Sequence, residues 1–187
     1  MVARISVGKN LYGALVYNQN KVDEGGAKVL SAHLLRYPED GRFRPDESVR
    51  QFLEWMPNHY RTEKPVIHIS LNPHPDDVLT DSQLAEIGRE YMQRLGYGNQ
   101  PYLVFKHEDI GRHHIHIVSL RVDSEGRKVS DKFEYRRSKE ITELLEQKYG
   151  LHPAEGRKKG EEWQLKPVDV AKGDIKRQIA CTLKPLL

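Results

Sequence analysis

The chain has 187 residues and a mass of 21.7 kDa, enough to bury an apolar core as one domain without staples. A hydrophobic content of 37% with 30% charged residues excludes a disordered chain, and no run of 18 apolar residues is present to span a membrane. The single cysteine, Cys181, excludes an internal disulfide and argues against a cysteine-based zinc site. The net charge of +3 is too small to announce a partner by itself, and it resides wholly from Gly150 onward, where eight Lys or Arg stand against five Asp or Glu. No apolar signal core follows Met1, so a cytoplasmic location is the default expectation.

Along the chain, Ala3 to Val7 alternates apolar and polar side chains, the period of a half-buried strand. Leu11 to Val22 suits a helix that Gly25-Gly26 ends, and Val29 to Arg36 is ambiguous between strand and helix. Pro38 to Pro45 reads as a loop. A second helix begins at Asp46, carries Val49, Phe52, Leu53 and Met56 at helical spacing, and stops at Pro57. Val66 to Leu71 is a strand with Val66, His68 and Ser70 on one face and Ile67, Ile69 and Leu71 on the other. A third helix runs from about Thr80 to Leu95, with Thr80 or Asp81 able to cap it and Gly96 stopping it. Tyr102 to His107 is a buried-strand run and His114 to Val122 a second strand. The short link between them predicts an antiparallel pair. Ser138 to Tyr149 is a fourth helix ended by Gly150, and a last helix is expected within 168–179. This order predicts an α+β fold, a central and largely antiparallel sheet with flanking helices, with a main domain over 1–155 and a basic extension over 156–187.

Four of the nine histidines fall between positions 107 and 116. In His114-Ile115-His116 two imidazoles lie two residues apart on a strand, so they project from one face with Cβ atoms roughly 7 Å apart. Ile115 and Ile117 are expected toward the core, leaving His114 and His116 facing out. His107 ends the preceding strand, and in a hairpin its side chain approaches that same face. Three neutral imidazoles make an open metal site with positions left for water or a phosphate oxygen. Asp109 is placed to orient a ligand imidazole from outside. A lone His-x-His is more often the wet face of an ordinary strand. His107 on the partner strand and Asp109 beside it shift the balance toward a metal. His68 reads as a structural, hydrogen-bonded histidine, His113 as loop, and His33, His59, His74 and His152 carry no pattern.

The stretch His107-Glu108-Asp109-Ile110-Gly111-Arg112-His113-His114-Ile115-His116-Ile117-Val118 resembles the His-x-Asp…His-x-His signature of plasmid mobilization relaxases, members of the HUH endonucleases. The resemblance extends to Gly13-Ala14-Leu15-Val16-Tyr17-Asn18, similar to a helix carrying the nucleophilic tyrosine, and to Pro65 through Pro73. It continues through Arg121-Val122-Asp123 to Gly126 and through Leu145-Glu146 to Leu151, so it covers roughly 1–155. One departure is that Ser119 and Arg121 occupy the region where relatives often carry an asparagine. The resemblance implies strand-specific nicking and religation of single-stranded DNA at an origin of transfer, in conjugative mobilization. The implied intermediate is a tyrosyl 5′-phosphate. It also implies a divalent metal, Mn²⁺ or Mg²⁺ with Zn²⁺, Ni²⁺ and Co²⁺ as alternatives, held by His107, His114 and His116. Accessory relaxosome proteins are the implied partners.

The implied nucleophile is Tyr17. Tyr12 lies five residues earlier, about 140° round the helix, so the two do not share a face. Phosphodiester transfer needs a positioned nucleophile and a polarised phosphate; a metal supplies the second as a Lewis acid. A phenol, with an ordinary pKa near ~10, needs help to lose its proton, and Asp109 is a candidate base as well as an outer-shell residue. Lys21, Lys28, Lys106, Arg112 and Arg121 are candidate phosphate contacts, with solvated surface charge as the competing reading. Three other functions compete. One is a rolling-circle initiator or single-strand transposase of the HUH class, which usually places its tyrosine after the histidines. The others are a non-catalytic metal-binding domain and a nonenzymatic nucleic-acid-binding module.

Overall fold

A computed structural model describes residues 1–36, 38, 40, 42–108 and 113–154. The expected helix within 168–179 and the basic extension lie outside the described residues, as do Asp109 and Arg112. The elements in chain order are β1 (Val2–Gly8), α1 (Leu11–Asp23), β2 (Ala27–His33), α2 (Pro45–Glu54), β3 (Val66–Asn72), α3 (Asp81–Leu95), β4 (Tyr102–His107), β5 (His114–Leu120) and α4 (Glu134–Tyr149). The five strands form one sheet in the order β1-β3-β5-β4-β2, and every neighbouring pair is antiparallel. This is the α+β architecture the sequence predicts.

Each sheet face carries its own apolar layer. On one, Ile67, Ile69, Leu71, Val104, Ile115 and Ile117 pack against Leu84, Ile87, Tyr91 and Leu95 of α3 and Ile141 and Leu145 of α4. On the other, Val66, Leu103, Phe105, Val118 and Leu120 pack against Leu11 and Leu15 of α1 and Phe52 of α2. Strand alternation assigns each residue to one of these layers, and a slip of one residue would exchange them. The second layer corrects the expectation that His114 and His116 face out. They do point away from Ile115 and Ile117, but His114 is buried and His116 half-buried on the face that α1 partly covers.

Three local readings resolve differently from the sequence pattern. The ambiguous stretch after Gly26 is an edge strand on β4, with a bulge between Val29 and Ser31. Its pairing partner β4, 78 residues away at the Lys28↔Lys106 pair, decides this more than its own pattern does. Helix α4 starts at Glu134, four residues before Ser138, because its first turn (Glu134, Tyr135, Arg136, Arg137) carries no apolar stripe to announce it. Strand β5 ends at Leu120, and Val122 makes only an isolated bridge to Lys128. The third helix follows its signals closely: Thr80 and Gln83 form a reciprocal capping box, and Gly96 closes the helix at φ 98°.

Gly88 on α3 fixes how closely that helix lies on the sheet. A Cβ added there would meet Ile115 Cδ1 at 3.2 Å and Val104 Cγ1 at 3.4 Å. Since Ile115 separates His114 from His116, α3 braces the back of the histidine strand. Gly88→Val is expected to overpack this contact and lower stability by about 1–3 kcal/mol. Urea unfolding tests this, and an unchanged midpoint would show that the helix can move away at no cost.

Candidate metal centre

The β4–β5 register brings the histidines together. His107 and His114 are direct cross-strand partners, and His116 lies two residues further along the same face. One ligand nitrogen from each lies within 4.8 Å of the other two. Nitrogens that close can share a centre about 2.8 Å from each, against roughly 2.1 Å for a metal–imidazole bond, so small side-chain adjustments complete a three-nitrogen shell. The donor set fits a divalent ion of the Mn²⁺ to Zn²⁺ group.

The surroundings favour the form of imidazole that binds metal. Burial, reinforced by His107, His68 and His114, pushes the His116 pKa down to about 3. Burial also lowers that of His68. Neutral rings keep a lone pair for a metal. His68 lies on β3 and its Nε2 is 2.8 Å from His116 Nδ1, so the hydrogen-bonded role expected for it has a specific partner, one of the metal-ligand candidates. His107 Nε2 is 2.8 Å from Asn18 Oδ1 on α1.

Helix α1 also carries Tyr17 over this cluster. Its ring centroid lies 6.1 Å from His107, 6.3 Å from His116 and 6.5 Å from His68, and the residue is 48% exposed. Tyr17 therefore sits at the rim of the site with one side in contact with the imidazoles and the other in solvent. Tyr12 is comparably exposed but makes no ring contact with these histidines.

The basic candidates are dispersed. Lys21 is half-buried on α1 and pairs with Glu24 at 3.5 Å. Lys28 and Lys106 are register partners on the opposite face of the sheet, where both pair with Asp81 at the start of α3. Lys106 also pairs with Glu108 at 2.6 Å. Arg121 lies beyond the far end of β5, buried and paired with Asp131 at 2.9 Å. The structure thus unites Tyr17 with the three histidines and separates Lys28, Lys106 and Arg121 from them.

Asn18 and Arg4 escaped the sequence reading. Asn18 had a signal: Leu11, Leu15 and Asn18 fall at i, i+4 and i+7, which puts an amide on the buried stripe of its helix. Arg4 shares a cross-strand row with Ser70 and His116, so its side chain issues from the histidine face. It is exposed there, and among the described residues it has no hydrogen-bond or ion-pair partner.

The chain matches the family model of MobA/VirD2-like relaxases, nuclease domain, over residues 17–151. It belongs to that family and is a relaxase-type endonuclease domain of DNA mobilization. Among solved structures it is similar to the MobM relaxase domain (MOBV; Mob_Pre), whose Mn-bound crystal structure holds 22 nucleotides of plasmid pMV158 oriT DNA. The identity is 17% and the TM-score 0.56, with 94% of this chain and 98% of that one covered, a likeness of fold. No curated protein sequence matches the chain. No helix among the described residues is long and apolar enough to cross a membrane.

His116→Ala removes a candidate ligand and should weaken Mn²⁺ binding by more than the roughly 10–100-fold that loss of an outer-shell partner costs. Titration calorimetry on the metal-free protein measures this. Wild-type affinity in the variant would remove His116 from the site.

Proposed function

We propose that this domain nicks and reseals one strand of DNA at an origin of transfer, with Tyr17 as nucleophile and His107, His114 and His116 as metal ligands. The observation that carries the reading is the placement of the exposed Tyr17 ring 6.1 Å from the His107 ring and 6.3 Å from the His116 ring, on a helix fixed to the same sheet face. A bound divalent ion would supply Lewis-acid polarisation of the scissile phosphate. The Tyr17 oxygen bonds to phosphorus, the bond to the 3′ oxygen breaks, and the phenolic proton passes in net to that oxygen. The 5′ side of the cut stays on the enzyme. A phenolate is a good leaving group, so the same step runs backward to religate. Asp109 is the proposed base or outer-shell partner. The Mn²⁺ bound in the MobM structure supports Mn²⁺ as the first ion to test.

The DNA strand has an open platform beside the histidines. Helix α1 packs toward β2 and β5, while Val2, Arg4 and Ser6 of β1 are exposed and His68, Ser70 and Asn72 of β3 half-buried. We place a backbone phosphate at Arg4, retain Lys21 and Arg112 as further phosphate contacts, and assign Lys28, Lys106 and Arg121 to structural ion pairs. Single-stranded DNA is the proposed substrate, and relaxosome proteins are the proposed partners.

The test mixes the protein with Mn²⁺ and labelled single-stranded oligonucleotides from its plasmid's origin region, then resolves the products on a denaturing gel. A protease-sensitive shifted band is expected, abolished by Tyr17→Phe and retained by Tyr12→Phe. Arg4→Ala should weaken oligonucleotide binding and flatten its salt dependence by about 0.7 in log–log slope. A band that survives Tyr17→Phe would assign the nucleophile elsewhere. DNA binding with no band for any origin-region oligonucleotide would favour a nonenzymatic binding module.

A further inference from the structure

Two hydrogen bonds determine the orientation of the Asn18 side chain. Its Nδ2 donates to the Ala14 carbonyl at 2.8 Å, and a carbonyl can only accept. The other end is therefore the amide oxygen, also only an acceptor, and it lies 2.8 Å from His107 Nε2. Nε2 must carry the hydrogen of that bond. In a neutral imidazole one ring nitrogen holds the proton and the other the lone pair, so the lone pair of His107 is on Nδ1. Asn18 is 0% exposed. The bond joins α1 to β4 one residue after Tyr17, so a single helical turn presents the tyrosine ring to the site and grips a histidine within it.

We propose that Asn18 is a positioning residue: it holds His107 as the Nε2–H tautomer, presenting Nδ1 to a metal, and through the same bond anchors the helix segment that carries Tyr17. This rests on the proposed use of the triad as a metal site and of Tyr17 as the nucleophile. Metal-ligating histidines commonly have their second nitrogen held in this way, usually by a carboxylate or a backbone carbonyl. An amide suits this place because its other end must donate to Ala14, which a carboxylate cannot do.

The first measurement is ¹⁵N–¹H correlation NMR of the metal-free wild-type protein with labelled histidine, and it depends on no variant folding. The expected spectrum shows His107 as the Nε2–H tautomer, and an Nδ1–H tautomer would overturn the proposal. Calorimetry with Mn²⁺ alone then compares Asn18→Ala with Asn18→Asp, which keeps an acceptor for Nε2–H. Asn18→Ala is expected to lose about 10–100-fold in affinity and Asn18→Asp to stay within several-fold of wild type. Equal losses in the two variants would overturn the proposal, because the acceptor for Nε2–H that Asn18→Asp keeps would then not matter. Both measurements omit DNA. Confirmed tautomer and affinity results with no covalent adduct would therefore discard the strand-transfer reading while the Asn18–His107 assignment stood.

Discussion

The register between β4 and β5 is the constraint on which the site depends. It sets His107 opposite His114, and strand alternation returns His116 to the same face two residues later. Ile115 and Ile117 hold that register because both are fully buried in the layer formed with α3 and α4. A one-residue slip would drive imidazoles into that apolar layer and bring isoleucines to the site. The position of the histidine triad is therefore stabilised by hydrophobic burial on the reverse side of the sheet, where Gly88 allows α3 to approach Ile115 closely.

Gathering imidazoles in a buried space has an electrostatic cost if any becomes charged. Burial and mutual repulsion keep His116 neutral, with its pKa pushed down to about 3, and burial acts on His68 in the same direction. Polar partners offset the desolvation of the rings: His68 for His116 and Asn18 for His107. Helix α1 contributes more than a cover. Leu11 and Leu15 seat it in the apolar layer, Asn18 bonds to the sheet, and Tyr17 is left at the exposed rim. The proposed nucleophile and the proposed ligands are thus positioned by one assembly of helix and sheet, as proximity-based catalysis would require.

Much of this was legible in the sequence, for physical reasons that also mark its limits. The strands at 66–71 and 102–107 and the third helix announce themselves by local alternation, apolar runs and caps, and their observed bounds differ by a residue or less. The His-Ile-His pattern predicts a shared face because side-chain alternation is local, and a short hairpin link makes His107 its natural partner. What stayed illegible depends on partners distant in the chain. The edge strand β2 is decided by β4, the burial of His114 by α1, and the pairing of Lys106 by Asp81. Lys106 and Arg121 flank the histidines in sequence, yet one emerges on the opposite face and the other lies past the far end of the strand. Arg4 shows the converse: it is over a hundred residues from His116 in the chain and shares a cross-strand row with it.

The central claim is that one ion is held by His107, His114 and His116 beneath Tyr17. Crystals grown with Mn²⁺ and measured at a wavelength where manganese scatters anomalously test it most directly. The account predicts one strong anomalous peak bonded to nitrogens of those three histidines, with the Tyr17 ring beside it. A peak on other residues, or one whose shell omits any of the three histidines at full occupancy, would contradict it.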